Sequence, residues 1–455
     1  MAREAQSLKI QECIDIIRRE FAKIPDPRAF SEIALTDFLT SGYAIFALKF
    51  PSLLSFDQAW RNDHRRANLQ SLFGIKNAPS DTHLRDVLDL VSPHDIKKIF
   101  KDLFAFIQRK KVLEGFEFLN SQNQVHYLIS VDGTGYFRSD AIGCTACNSY
   151  SSNEKRKVPK YGHNILGASI VHPMRAEVLP LAPEPISIQD GNLKNDCELN
   201  AFRRFLQNFR EDHPKLGAIF TLDALYANQP QIQLLFDNQA SFIIAVKNTH
   251  NALFRQVNDG EKNGKTKYFE HTFEIGDKIK KQVIYRFRYQ KNVHLNQDPN
   301  SVRVNFVEFW EEINWEGRKG SQSKKVHFSW VTDLDVNPQN LIMIMKGGRA
   351  RWKIENETFN TLKNQGYHLE HNYGHGYNNL SVNFSLLMFL AFFVDQIQQA
   401  SCQKFKKVVM ASGNRSALWR KLGPYIEMLK FSSWEQLYAL ICNEIKATLV
   451  AIDSG

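Results

Sequence analysis

The chain is poor in cysteine, with six in 455 residues, too few for a disulfide-stapled scaffold. A reducing cytoplasm is expected. Acid is also in deficit. Asp and Glu number 48 against 58 Lys and Arg, a formal charge of +10. That balance favours polyanions, nucleic acid before membrane. The N-terminus, Met1-Ala2-Arg3-Glu4-Ala5-Gln6, lacks a signal peptide's apolar stretch. The longest apolar run, Phe384 to Val394 with one serine, is too short to span a bilayer and reads as a buried core helix. No internal repeat or low-complexity tract stands out. What remains, 43% hydrophobic and 23% charged, is ordinary for a globular protein of several domains.

Residues 1–120 read as a helical region for DNA binding or dimerisation. Ile10, Cys13, Ile14, Ile16 and Ile17 recur at helical spacing, and Phe38 to Phe46 is a second apolar helix. Ser80, Asp81 and Thr82 ahead of Leu84 supply a helix N-cap. The basic clusters Arg61 with His64-Arg65-Arg66, and Lys97-Lys98 with Lys101, suit DNA ends or else are solvated helix faces.

Over 121–249 the period shortens. Val125–Val131 is an apolar strand ending at Asp132; Ile165–Val171 and Glu177–Pro185 follow as strands. Asn195–Asp212 is an amphipathic helix with Leu199, Phe202, Phe205, Leu206 and Phe209 on one face. Gly217–Leu222 is a strand ending at Asp223, followed by a helix over Pro230–Asn238 and a strand over Ser241–Val246. The expected fold class is therefore α/β, an RNase H-like core with a mixed five-stranded sheet and helices. A β-rich insertion over 250–345 interrupts it, alternating as in Val283–Tyr289 and Val302–Trp310. Residues 346–400 complete the core with the helix of Glu355, and 401–455 form a helical C-terminal region.

Phosphodiester transfer places negative charge on the entering and leaving oxygens, and two divalent ions about 4 Å apart stabilise both. Mg²⁺ or Mn²⁺ in that role needs carboxylate oxygens. Asp132, Asp223 and Glu355 form such a set in order along the chain, the aspartates at strand ends. A single aspartate after a strand is otherwise a turn or cap residue. Arg351 lies four residues before Glu355, on the same helix face, as a phosphate contact or as its surface ion-pair partner. Lys363, eight residues after Glu355, falls roughly 80° round an α-helix from it and is a DNA-backbone candidate or a solvated lysine. Cys144 and Cys147 have zinc-knuckle spacing, with Cys197 and His163 available to complete a Cys₃His structural Zn²⁺ site; reduced buried thiols are the other reading. His368, Glu370, His371 and His375 also invite a metal reading, though Gly374 and Gly376 suggest a loop, and contacts from His371 to DNA or to the Glu355 helix are preferred. Trp310, Trp315 and Trp330 lie in or beside the insertion; Trp330 would stack on an extruded base, unless all three simply pack.

Three segments resemble the DDE transposases of bacterial insertion sequences that carry a β-rich insert before the final glutamate. They are Ile129-Ser130-Val131-Asp132-Gly133-Thr134, Thr221-Leu222-Asp223-Ala224 and Arg351-Trp352-Lys353-Ile354-Glu355-Asn356-Glu357. Lys194–Glu198 and Gly366–His371 add to the likeness, which spans roughly residues 35–395. The resemblance implies metal held by Asp132, Asp223 and Glu355, hydrolytic nicking at terminal inverted repeats, and strand transfer by the freed 3′-hydroxyl into target DNA. It also implies a homodimer in a synaptic complex. An RNase H-like nuclease without strand transfer, or a domesticated DNA-binding protein, are the alternatives. The family pattern places a tyrosine three residues before the arginine and a lysine seven after the glutamate. Here those positions are Gly348 and Leu362, with Lys363 one step late.

Overall fold

The computed structural model describes residues 8–121, 124–150, 160–188, 195–277, 279–317 and 320–446. Met1–Gln6 and Lys194, both singled out above, lie outside them.

One mixed sheet organises the chain. Its main strands are β1 (Gln124–Ser139), β2 (Tyr161–Val171), β3 (Gly217–Leu222), β4 (Ser241–Ala245), β5 (Lys267–Ile275), β6 (Lys281–His294), β7 (Arg303–Gly317) and β8 (Gly320–Thr332). Their spatial order is β2-β1-β3-β4-β8-β7-β6-β5. The β1–β2 pairing is antiparallel, whereas β1–β3 and β3–β4 are parallel. Every residue of β3 is buried, as a strand between two parallel neighbours with both faces covered should be. The expected strand over 177–185 forms as two short pieces, Leu179–Pro180 and Glu184–Ile186, both on β2. Pro180, Pro183 and Pro185 remove the donors that a continuous ladder needs.

The β-rich stretch opens with a helix, Asn251–Lys262, and continues as the antiparallel meander β5 to β8. It extends the core sheet: Trp330, Val331 and Thr332 of β8 pair with Ala245, Ile244 and Ile243 of β4.

The spine of the helical layer is Leu380–Ser401, buried continuously from Leu380 to Gln398. By length and composition it would cross a membrane, but 94% of its most apolar window is buried inside the protein. The helices Leu35–Ala47, Asp81–Leu90 and Pro93–Arg109 pack against it. Ser80 caps the second of these through the His83 amide, at 3.4 Å. Asp89 ties that helix to the start of the spine. Its carboxylate accepts from the backbone N–H groups of Tyr377, Asn378, Asn379 and Leu380 at 2.9–3.0 Å. Deeper in the layer, Lys49 Nζ meets Asp395 Oδ2 at 2.7 Å and lies over the Tyr367 and Trp419 rings.

Candidate functional site

The parallel ladder between β1 and β3 runs from His126–Gly217 to Ser130–Thr221. Carried two residues further, that register sets Asp132 beside Asp223, on strands about 4.8 Å apart. Asp132 does not end its strand as expected: β1 continues to Ser139, because Gly133, Thr134 and Gly135 go on pairing with β2. Only the β3 side of the ladder stops, and there the edge of β1 opens at Asp132. Asp223 ends its own strand as expected and caps the turn Ala224–Tyr226 by accepting from the Leu225 amide at 2.8 Å.

Glu355 reaches Asp132 through Arg351. Arg351 Nη1 is 3.0 Å from Glu355 Oε1 and 3.6 Å from Asp132 Oδ2. A fourth acid, Glu198, enters from the first turn of the helix Glu198–Asp212. Its Oε1 accepts from the Tyr226 hydroxyl at 2.9 Å, and its Oε2 lies against Gly133, where a Cβ would be only 2.5 Å away. Burial, then the negative charge of Glu198 and, more weakly, of Glu355, push Asp132 up to about 7 against the opposing pull of Arg351. Burial and the charge of Asp223 raise Glu198 as well, while its Tyr226 hydrogen bond opposes them. Burial first, and then like charge, raise both carboxylates, so the centre favours a cation that would offset them.

The segment bearing Glu355 is not a uniform α-helix. Ala350–Trp352 is a 3₁₀ turn, Ile354–Phe359 is π-helical and Asn360–Asn364 is α-helical. It is seated on the sheet at three points. Ser130 donates to the Arg351 carbonyl at 2.6 Å, Ser169 and Thr358 hydroxyls meet at 3.1 Å, and Phe359 packs on Gly167, where a Cβ would lie 2.6 Å from its ring. A π turn closes on the fifth residue and accommodates one residue more than an α turn. Lys363, one step late by sequence, therefore comes round to about the face of Glu355 rather than 80° away. It pairs with Glu370 at 2.8 Å.

The other expected DNA contacts are placed unequally. His371 is exposed, its ring edge-on to Tyr373. Arg351 is largely enclosed by the acids it bridges and lies over the Trp352 ring. Trp330 is 2% exposed, stacked on Phe328 and pressed against Gly348, where a Cβ would meet its Nε1 at 2.3 Å. It is a packing residue and offers no face to a base. The same contact explains why no side chain stands at 348. Trp310 stacks on His327, and Lys281 lies over Trp315. Trp352, beside the acids and 47% exposed, is the aromatic that the sequence reading passed over.

Cys144, Cys147 and His163 do come together, but the fourth member is His375; the four ligand atoms lie within 4.8 Å of one another. Cys197 is exposed, immediately before the helix of Glu198, and is not part of the group. Hydrogen bonds pull Cys147 down to about 2, from Cys144 first and then from His163 and His375, against the burial that raises it.

Asp132, joined through Arg351 to Glu355, with Glu198 beside it and Asp223 near Glu198, makes an acidic cluster at the end of the β1–β3 ladder. Residues 180–393, just under half of the chain, match the family described as Transposase DDE domain. The likeness to DDE transposases is thus borne out over that stretch, which contains Glu198, Asp223 and Glu355 and begins after Asp132. No curated protein matches the chain.

Proposed function

We propose that the chain is a DNA transposase of an insertion sequence, built on an RNase H-like core, that cleaves terminal inverted repeats and joins the freed 3′ ends to target DNA. The observation that supports this best is the joining of Asp132 to Glu355 by Arg351, at the end of a parallel β1–β3 register that stops two residues short of Asp132 and Asp223. The donor set suits hard divalent cations: all oxygen, and buried and acid-flanked so that Asp132 holds its proton to about 7. Asp132, Asp223 and Glu355 would hold Mg²⁺ or Mn²⁺, with Glu198 adjoining. Such cations supply charge to the entering and leaving oxygens of the phosphoryl transfer.

The chain's own residues do the rest. Arg351 keeps Asp132 and Glu355 facing one another and presents a guanidinium to the scissile phosphate. Lys363 and His371 line the approach as backbone contacts. In the first step a water oxygen bonds to phosphorus and the strand's 3′-oxygen leaves as a hydroxyl. In the second, that hydroxyl attacks a target phosphodiester and the target's 3′-oxygen leaves. Two copies of the chain would hold the two ends in a synaptic complex.

The test is end cleavage and strand transfer on a labelled inverted-repeat duplex with Mg²⁺, using Asp132→Asn, Asp223→Asn and Glu355→Gln. Each should lose at least about 10²-fold. Wild-type cleavage by any of the three would overturn the assignment. Cleavage without strand transfer in the unmodified protein would leave a nuclease.

A further inference from the structure

The cysteine–histidine group stands apart from the acidic centre. Phe137, opposite His163 in the β1–β2 ladder, is five residues beyond Asp132, or about 16 Å along a strand. Its members come from three places. Cys144 and Cys147 sit in the turn after β1, His163 on β2, and His375 in the stretch between the Glu355 helix and the buried spine.

The geometry points to a closed, four-coordinate site for one Zn²⁺, held by Cys144, Cys147, His163 and His375, that fastens the segment after the Glu355 helix to the strand carrying Asp132. The spacing itself is the first argument. Zn–S bonds of about 2.3 Å and Zn–N bonds of about 2.05 Å, arranged as a tetrahedron, give edges of about 3.8 Å between sulfurs and about 3.6 Å between sulfur and nitrogen. Here Cys144 Sγ and Cys147 Sγ are 3.9 Å apart. His163 Nε2 is 3.3 Å from each sulfur, and His375 Nε2 is 3.3 Å from Cys147 Sγ. These four edges come within about 0.3 Å of those of a zinc tetrahedron, and the other two are no longer than 4.8 Å.

The donors are the second argument. Two sulfurs and two imidazoles with no carboxylate exclude the hard cations proposed for the acidic centre and suit zinc. Cys147, His163 and His375 are 2%, 1% and 7% exposed, so little of the group is open to water or substrate. Four protein ligands and no free position make a structural rather than a catalytic metal. A Cys144–Cys147 disulfide is the rival arrangement. It would use the sulfurs alone and leave both Nε2 atoms buried without the partner they now converge on.

The surroundings supply the consequence. The His375 ring lies 4.3 Å from Phe137 of β1, and Tyr136 stacks on His163. Two residues beyond His375, the Tyr377 carbonyl accepts from the Thr145 amide at 3.1 Å, and the backbone then enters the Asp89 carboxylate. The metal thus closes a knot between the turn after β1, strand β2 and the chain leaving the Glu355 helix.

The test is metal content of the full chain purified from zinc-supplemented medium and desalted. We expect one zinc per chain, unchanged in Cys197→Ser and reduced about tenfold or more in Cys147→Ser and His375→Ala. Should those variants misfold, wild-type protein stripped with chelator and titrated with Co²⁺ should develop the intense visible bands of tetrahedral thiolate coordination, bleached by Zn²⁺ but not by Mg²⁺. Limited proteolysis reads the fastening: cleavage within 366–379 should quicken several-fold after chelation and slow again on adding Zn²⁺. The site is wrong if wild-type protein takes up neither metal, if thiol counting finds a Cys144–Cys147 disulfide in its place, or if Cys197→Ser loses zinc while His375→Ala keeps it. Zinc bound without any change in proteolysis overturns the fastening role. None of these readings involves DNA, so they stand or fall independently of transposition.

Discussion

The carboxylate of Glu198 rests on Gly133, so closely that a methyl group at that position would lie 2.5 Å from Oε2. The glycine next to Asp132 is therefore a seat for a second acid. Gly133→Ala should push Glu198 away, costing about 1–3 kcal/mol of stability and most of the cleavage activity. Glu198→Ala in the same chain should restore the stability, and not the activity. Urea unfolding with parallel cleavage assays checks both; an alanine tolerated at 133 without loss of either would show that the seat is not needed.

Asp132 should make metal-free protein lose stability as pH rises. Its folded pKa of about 7 lies above the ordinary value of 3.8, so the native state holds a proton that the unfolded chain has released. The stabilisation is complete below the unfolded pKa and disappears as pH rises through about 7. Asp132→Asn should remove that slope and, at pH 8 in chelator, melt about 2 °C or more above wild type. Mg²⁺ should raise the wild-type melting temperature more than the variant's. Parallel melting curves for the two proteins from pH 4 to 8 would refute the coupling.

Arg351 already occupies the space between Asp132 and Glu355 as a cation, and a divalent metal at the proposed site would have to share it. Arg351→Gln should lower maximal cleavage by about 10²-fold while shifting half-activation to lower Mg²⁺ concentration. A shift to higher concentration would instead mean that the arginine mainly holds the two acids in place.

Remote from the acids, Lys49 and Asp395 form a pair with side chains only 3% and 8% exposed, and the Tyr367 hydroxyl donates to the same carboxylate oxygen. Lys49→Met leaves that carboxylate buried without its cation and should cost about 3–5 kcal/mol. Adding Asp395→Leu should recover part of the loss, as measured by chemical unfolding. A double variant no better than Lys49→Met would mean that packing around Tyr367 and Trp419 carries the stability.

What the sequence displays follows from how local each signal is. Asp132 and Asp223 are legible because each borders an apolar run whose strand forms, and Ser80 because an N-cap acts within three residues. Cys144 and Cys147 announce themselves by spacing. Glu198 does not, and His375 shows itself only beside its neighbouring histidines: the partners of both come from close approach between distant segments, and neither periodicity nor spacing records that. Trp330 was open to two readings until β8 paired with β4, which turned its ring inward onto Gly348. The attachment of the meander to the core sheet is hidden for the same reason, because alternation shows that strands form and not what they pair with.

The wide turn at Ile354–Phe359 has a consequence for how such chains are compared. A π turn is how a helix absorbs an inserted residue without surrendering the face on either side. A pattern written with fixed intervals passes over this chain by a single position and scores its lysine as lost. What changed is the count between Glu355 and Lys363; the two charges still share a side of the helix. A chain with one residue more in that interval can therefore still carry a lysine on the glutamate's side of the helix.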